Sequence, residues 1–169
     1  MPDTVWLPYD AGSLTRQDVG GEVLSGLVER GLPADCCRMF VRDSGRELEV
    51  RSLPQGRAAF LGAFEDGVNT YWLMIDSGAV WMVRGYDGDE DQQYALVNSS
   101  VAGLQSVLEV WEAFCGSERS DEDADYEEYV EDVLEQARRS DPGAFADDES
   151  WWSRVFEEVE LGVLVPEDA

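Results

Sequence analysis

Two apolar runs joined by a short turn constrain the fold of this chain more than any other feature. The runs are "TYWLMI" at 70–75 and "AVWMV" at 79–83, and Asp76-Ser77-Gly78 separates them. Aromatic and β-branched residues favour strands, and a turn of this kind between two such runs is typical of a β-hairpin. The sequence therefore predicts two paired antiparallel strands in the middle of the chain.

Four further runs with strand character flank the predicted hairpin. Two of them alternate between apolar and polar residues, as half-buried strands do, and two are mainly apolar. In chain order they are "CCRMFVRD" (36–43), "ELEVRSL" (47–53), "AAFLGAF" (58–64) and "YALV" (94–97). Five or six strands in succession with short connections predict a meandering, mainly antiparallel sheet.

Apolar residues at helical spacing predict one helix before this sheet and about three after it. The first helix is expected from Thr15 to Arg30, and Gly31 ends it. The later helices are expected at about 98–114, 123–139 and 150–161. The order of helix, sheet and helices predicts an α+β fold. We expect a single domain over residues 1–169, of which 117–169 form an acidic helical part.

The first helix after the sheet carries the clearest apolar stripe. Asn98 and Ser99 are the expected caps of this helix, with Ser100 as a further candidate. The stripe steps by three and four residues and predicts the buried face of a core helix. It consists of Val101, Leu104, Leu108, Trp111 and Cys115.

The chain is strongly acidic. It contains 37 Asp and Glu against 12 basic residues, all of them Arg, for a formal net charge of −25. A field of that sign repels phosphate groups and anionic lipids and attracts basic proteins. We therefore expect no direct nucleic-acid partner and no membrane partner. Two interpretations of the acidity stay open: binding of a basic partner, or solubility alone.

The stretch "SDEDADYEEYVED" (120–132) combines this charge with order. Tyr126, Tyr129 and Val130 recur at helical spacing among the acids. The spacing predicts a helix whose apolar stripe lies on the domain and whose carboxylates face outward. We call its six outward acids the helix patch and regard them as candidate partner-binding residues: Asp121, Glu122, Asp123, Glu127, Glu128 and Glu131.

A second acidic segment and one tryptophan are further candidates for partner binding. The loop "GYDGDEDQQ" (85–93) contributes what we call the loop patch: Tyr86, Asp87, Asp89, Glu90 and Asp91. Trp72 and Leu73 are neighbours on a strand, so one of them must face the outer side of the sheet. An exposed Trp72 beside acids would be an anchor for a protein partner.

The residue types argue against most enzyme chemistry. The chain has no His and no Lys, which removes the commonest general base and metal ligand, Schiff-base lysines and the phosphate-loop lysine. The runs beginning at Asp87 and Asp121 resemble calcium loops but lack Gly at the sixth position and Glu at the twelfth. We expect no catalytic residue, no metal and no cofactor. A pair of carboxylates acting in hydrolysis remains the enzymatic alternative.

Cysteine content and hydropathy indicate the compartment. The chain has three cysteines, Cys36, Cys37 and Cys115. A small, odd number of cysteines is expected of reduced core residues in a cytosolic protein. The sequence shows no charged start followed by an apolar run, so we expect no secretory signal. No apolar stretch approaches the roughly 20 residues that span a bilayer. The expected location is the cytoplasm.

Several stretches together resemble the SUKH superfamily of immunity proteins, and most of all its fourth family. They are "GLPADCCRMF" (31–40), "FLGAFEDGVNTYWLMIDSGAVWMV" (60–83) and "YALVNSSVAGLQSVLEVW" (94–111), with a weaker similarity at "WWSRVFEEVELG" (151–162). The motifs that carry the resemblance are Gly-Leu-Pro before a strand, Asp-x-Gly-x-Val in the hairpin, and Asn-Ser-Ser between a strand and a helix. The resemblance implies an α+β fold with a curved, mainly antiparallel sheet.

The resemblance also implies a function. Members of the superfamily bind and neutralise polymorphic toxins in the cytosol, often nucleases or deaminases, without catalytic activity of their own. We therefore expect an immunity protein that binds a basic toxin domain, with a monomer favoured. The alternatives are an adaptor or regulatory module with the same fold and, less favoured, a carboxylate hydrolase. A toxin gene beside this one would distinguish the first alternative from an immunity protein.

Overall fold

The computed structural model describes residues 4–166. Within that range the chain forms five α-helices, one 3-10 helix and nine strands. In chain order they are β1 (Trp6–Leu7), α1 (Ala11–Arg16), α2 (Gly21–Glu29), β2 (Leu32–Pro33), β3 (Asp35–Cys36), β4 (Phe40–Val41), β5 (Val50–Leu53), β6 (Gly56–Ala63), β7 (Thr70–Met74), β8 (Val80–Arg84), β9 (Gln93–Asn98), α3 (Val101–Cys115), α4 (Tyr126–Ser140), the 3-10 helix (Pro142–Phe145) and α5 (Trp151–Glu160).

Seven strands form one curled antiparallel sheet in the order β3-β4-β6-β7-β8-β9, with β5 paired to β6. The predicted hairpin is confirmed, with Trp72 opposite Trp81 across β7 and β8. A register shift between Phe60 and Gly62 interrupts the pairing of β6 with β7. An extra residue in one strand bends a sheet and increases its twist. The predicted α+β class and antiparallel sheet are therefore confirmed, although the sheet has more strands than the five or six expected.

The prediction of one strand over 36–43 is wrong. Cys37 and Arg38 adopt left-handed backbone conformations, with φ of 48° and 63°, and turn the chain between β3 and β4. The Asp35 carboxylate accepts a hydrogen bond from the Arg38 backbone N–H and so stabilises the turn. Residues with side chains seldom adopt this conformation, so the alternating pattern gave no sign of it.

The prediction of one helix from Thr15 to Arg30 is also wrong, because two short helices, α1 and α2, cover this region. Asp18 has a φ of 64° and Gly21 a φ of 61°, which breaks the helical path between them. The Asp10 carboxylate caps the start of α1 by accepting from the Ser13 backbone N–H at 2.7 Å. Val19, assigned by its spacing to the buried face of one helix, lies in the break and is nevertheless buried.

The apolar stripe of α3 lies in the main core, as predicted. Leu104 and Leu108 are fully buried, and Trp111 and Cys115 are nearly so. The cap differs from the expected one, because Ser100 accepts the hydrogen bond from the Gly103 backbone N–H at 3.0 Å.

Asn98 and Ser99 instead hold a buried carboxylate at the end of α4. Asp141 accepts from Asn98 Nδ2 at 2.9 Å and from the Ser99 hydroxyl at 2.6 Å. The Asn98 side-chain oxygen in turn accepts from the indole N–H of Trp152 on α5. A Cβ atom on Gly103 would lie 2.3 Å from Asp141 Oδ2, so this approach requires glycine. These contacts around Asp141 therefore connect the sheet, α3, α4 and α5, and they fix the position of the acidic helix α4.

The helices and the sheet form a single compact domain. The predicted span of 1–169 includes residues 1–3 and 167–169, which lie outside the described residues. Between residues 4 and 166, no helix is long and apolar enough to cross a membrane.

Candidate interaction surface

Helix α4 lies on the domain as its spacing predicts. Tyr126, Val130, Val133 and Ala137 are buried. Tyr129, half-buried, stacks on Phe114 of α3 with an interplanar angle of 14°. The acidic side chains are left on the outward face. Glu127 and Glu128 stand in the first turn, where carboxylates interact favourably with the helix dipole.

The helix patch carries charge that the chain itself does not neutralise. Within residues 4–166, none of its six carboxylates has an ion-pair partner, and all six side chains are exposed. The neighbouring Asp125 differs, because Arg119 donates to it at 2.6 Å and that hydrogen bond lowers the pKa of Asp125. Asp123 accepts a hydrogen bond from the Ser120 backbone N–H at 2.9 Å, and its charge is one of the causes that raise the pKa of Arg119, after the hydrogen bond and charge of Asp125.

Four of the six acids of the helix patch line a groove. It has a volume of about 560 Å³ and lies between α4, the loop before it and the C-terminal end of α5. Its apolar walls include Val130, Val159 and Leu161, and Leu161 is 72% exposed. Five carboxylates line it: Asp121, Asp123, Glu127, Glu131 and Glu160. Glu122 and Glu128 do not belong to this lining.

Tyr126 belongs to the same groove and leaves its hydroxyl group unsatisfied. The side chain is 7% exposed, and the hydroxyl has no hydrogen-bond partner among the described residues. Burial raises the pKa of Tyr126, and the nearby carboxylate of Asp121 adds to the rise. Tyr126 and Asp121 therefore line the same groove.

Part of the loop patch is engaged inside the molecule. Asp87 accepts from Arg51 at 2.9 Å and from Arg46 at 3.3 Å. Asp89 accepts from the Tyr86 backbone N–H at 3.2 Å, which closes the loop on itself. The other members of the patch, Glu90 and Asp91, are exposed and form no ion pair in the part of the chain that the structure describes, and the Tyr86 ring is 68% exposed.

The expectation of an exposed Trp72 is wrong. Trp72 does lie on the face of the sheet opposite Leu73, but it is fully buried in a second, smaller apolar cluster with Phe60 and Met74. The Arg51 guanidinium lies 4.5 Å from the centre of the Trp72 ring and covers it. Its indole N–H donates to the Thr70 hydroxyl at 2.8 Å. Trp72 is therefore a core residue of the outer face.

The sequence analysis missed the contribution of α5 to the groove. Glu160 and Leu161 follow the apolar stripe of α5, and that position in the sequence marks only the end of a helix. Their proximity to α4 results from the packing of α4 on α5, which sequence spacing does not reveal. A run of acids shows where charge is dense, but not which of those acids share a groove.

The structure also brings the three cysteines together. Cys36 and Cys115 are buried, Cys37 is half-buried, and all three are free thiols. Contacts with the thiols of Cys115 and Cys36 lower the pKa of Cys37, and the same contacts raise the pKa of Cys36 and of Cys115. Among residues 4–166, no group of three or more carboxylate or thiol side chains is arranged to hold a metal ion.

Comparison with known proteins identifies the family to which the chain belongs. The model of the family described as SUKH-4 immunity protein matches residues 9–158, which include the whole main sheet, α3, α4 and most of α5. No match is found among curated proteins or among solved structures. Because the family match covers most of the 169 residues, the chain belongs to the SUKH-4 immunity protein family.

Proposed function

We propose that this protein binds a cognate polymorphic toxin domain in the cytoplasm and neutralises it by occluding a basic surface. The observation that carries the proposal is the helix patch, whose six carboxylates are exposed and have no ion-pair partner within residues 4–166. Nucleases and deaminases hold nucleic acid with cationic side chains, which an acidic surface attracts. The toxin class proposed is therefore a nuclease or a deaminase.

Inhibition requires no chemistry by the immunity protein itself. Encounter is accelerated by the field of a chain with a net charge of −25. Complementary charges on the toxin then hold the acidic face over the surface that would bind nucleic acid. The same field repels nucleic acid and anionic lipid, so the proposed partner is a protein, bound by a monomer of this chain.

Co-production with the toxin encoded by the adjacent gene tests the proposal. We expect cells that produce the toxin to survive only when this chain is also produced, and the two proteins to co-purify. An unrelated toxin domain of similar charge is the matched control and should still kill. Death in both cases, with no complex formed, would contradict the immunity function.

A further inference from the structure

The groove beside α4 differs from a general acidic face in three respects. Its five carboxylates come from two separate parts of the chain, because Glu160 is the last residue of α5 whereas the others belong to α4 and the loop before it. None of the five has an ion-pair partner within residues 4–166. Its apolar walls also include Leu161, a large side chain left exposed.

The unsatisfied hydroxyl of Tyr126 is a second, independent observation at this groove. A buried polar group without a partner is unfavourable, and native proteins leave few of them. Phenylalanine would fill the same space without this penalty. A hydroxyl can accept a hydrogen bond from a cationic donor and donate its own proton to a carboxylate such as Asp121.

We propose, on the basis of the proposed function, that this groove binds an arginine side chain of the toxin. The carboxylates would accept the guanidinium N–H groups, and the Tyr126 hydroxyl would accept one more. The aliphatic stem would lie along Val130, Val159 and Leu161.

Arginine fits this site better than lysine for two reasons. The planar guanidinium has five donors and can pair with two carboxylates at once, whereas an ammonium group is a compact point charge. The guanidinium is also less strongly hydrated, so it loses less hydration when it enters a groove that has apolar walls. The volume of about 560 Å³ leaves room for a residue flanking the arginine.

Binding of acetylated hexa-arginine and hexa-lysine amides to the full-length protein tests the inference without knowledge of the toxin. Titration calorimetry gives the affinity, and backbone amide shifts in NMR spectra locate the site. We expect hexa-arginine to bind several-fold more tightly at equal salt and to shift the amides of Tyr126, Glu160 and Leu161. Equal affinity for the two peptides, or shifts confined to other surfaces, would overturn the inference.

Two charge-matched triple variants separate the groove from the general field. The groove variant is Asp121→Asn/Glu131→Gln/Glu160→Gln, and the control variant is Glu122→Gln/Glu128→Gln/Asp132→Asn. Only the groove variant loses charge-assisted hydrogen bonds to the peptide. The affinity of the groove variant for hexa-arginine should therefore fall about tenfold further than the affinity of the control variant. Equal losses in the two variants would show that only net charge matters.

Tyr126→Phe tests the hydroxyl with the ring retained. We expect hexa-arginine to bind about three- to tenfold more weakly, with hexa-lysine changed less, because one hydrogen bond is lost. The unbound protein should be at least as stable in denaturant as the parent. Reduced stability with unchanged hexa-arginine affinity would overturn the role of the hydroxyl.

The toxin itself distinguishes the two proposals. If the parent protects cells and the groove variant protects as well as the control variant, the arginine site is wrong and the immunity function stands. If the parent fails to protect while hexa-arginine still binds in the groove, the immunity function is wrong and the arginine site stands.

Discussion

The helix patch and the loop patch are similar in sequence and differ in what their charges do. In the loop patch, Asp87 binds Arg46 and Arg51, and these two guanidiniums lie over the rings of Phe60 and Trp72. The helix patch has no comparable internal partner within residues 4–166. Local density of acids therefore does not distinguish the two patches, whereas their ion pairs do, and the proposed function rests on that difference.

The outer face of the sheet explains why the loop patch is engaged internally. Phe60 and Trp72 are large aromatic residues in an apolar cluster whose buried members come from the strands of the sheet, and their rings pack edge to face at 5.5 Å. Arginine can cover an aromatic ring with its stem and guanidinium while it stays hydrated at its edge. Asp87 orients the two arginines that do this. Asp87 thus stabilises the fold, and the proposed function places partner binding at the helix patch.

The largest predicted effect concerns the aromatic cluster under the loop. Trp72→Ala should lower the free energy of unfolding by about 3–5 kcal/mol, because it removes a fully buried ring. Denaturant melts followed by circular dichroism measure the change. A loss below about 1 kcal/mol would mean that Trp72 is exposed, which would restore it as a candidate anchor.

The contact of Arg51 with the Trp72 ring should contribute less to the free energy of unfolding than the ring itself does. Arg51→Ala should lower the free energy of unfolding by about 1–2 kcal/mol, since it removes a cation–π contact and the shielding of Trp72. Arg139→Ala removes the same charge from an exposed i,i+4 pair and is the control. Its effect should stay within about 0.5 kcal/mol. Equal effects of the two changes would contradict the covering role.

Single neutralisations in the two patches should differ in sign. Asp87→Asn should destabilise the protein by about 0.5–1 kcal/mol, because two arginines lose an exposed partner. Glu128→Gln should be neutral or slightly stabilising, because it only reduces repulsion in a chain of net charge −25. Urea melts at low and high salt compare them, and the difference should shrink as salt screens both effects. Destabilisation by Glu128→Gln would reveal an internal role for the helix patch.

Periodicity predicted the parts of the fold that depend on local pattern. The stripe from Tyr126 to Ala137 and the hairpin around Gly78 are as expected, since spacing and turn residues determine them. The turn at Cys37 was missed because left-handed backbone at residues with side chains is uncommon and the alternating pattern does not indicate it. The helix break at Asp18 was missed although Gly20-Gly21, a turn signal, stands in it.

The candidate site was less predictable, because it depends on contacts between distant parts of the chain. Arg51 covers Trp72, and Glu160 faces the acids of α4, only after the sheet and helices have packed. No spacing rule links these positions. The sequence therefore predicted two acidic patches and an exposed tryptophan, whereas the structure separates the patches by their internal partners and buries the tryptophan.

The association rate of the toxin domain with two charge-matched variants tests the central claim most directly. The helix variant is Glu122→Gln/Glu127→Gln/Glu128→Gln, and the loop variant is Asp89→Asn/Glu90→Gln/Asp91→Asn, which leaves Asp87 in place. Stopped-flow measurements at low and physiological salt give the rate constants. We predict that association with the helix variant at low salt is about tenfold slower, with a weaker salt dependence, and that the loop variant resembles the parent. An unchanged rate for the helix variant together with a slower rate for the loop variant would contradict the account.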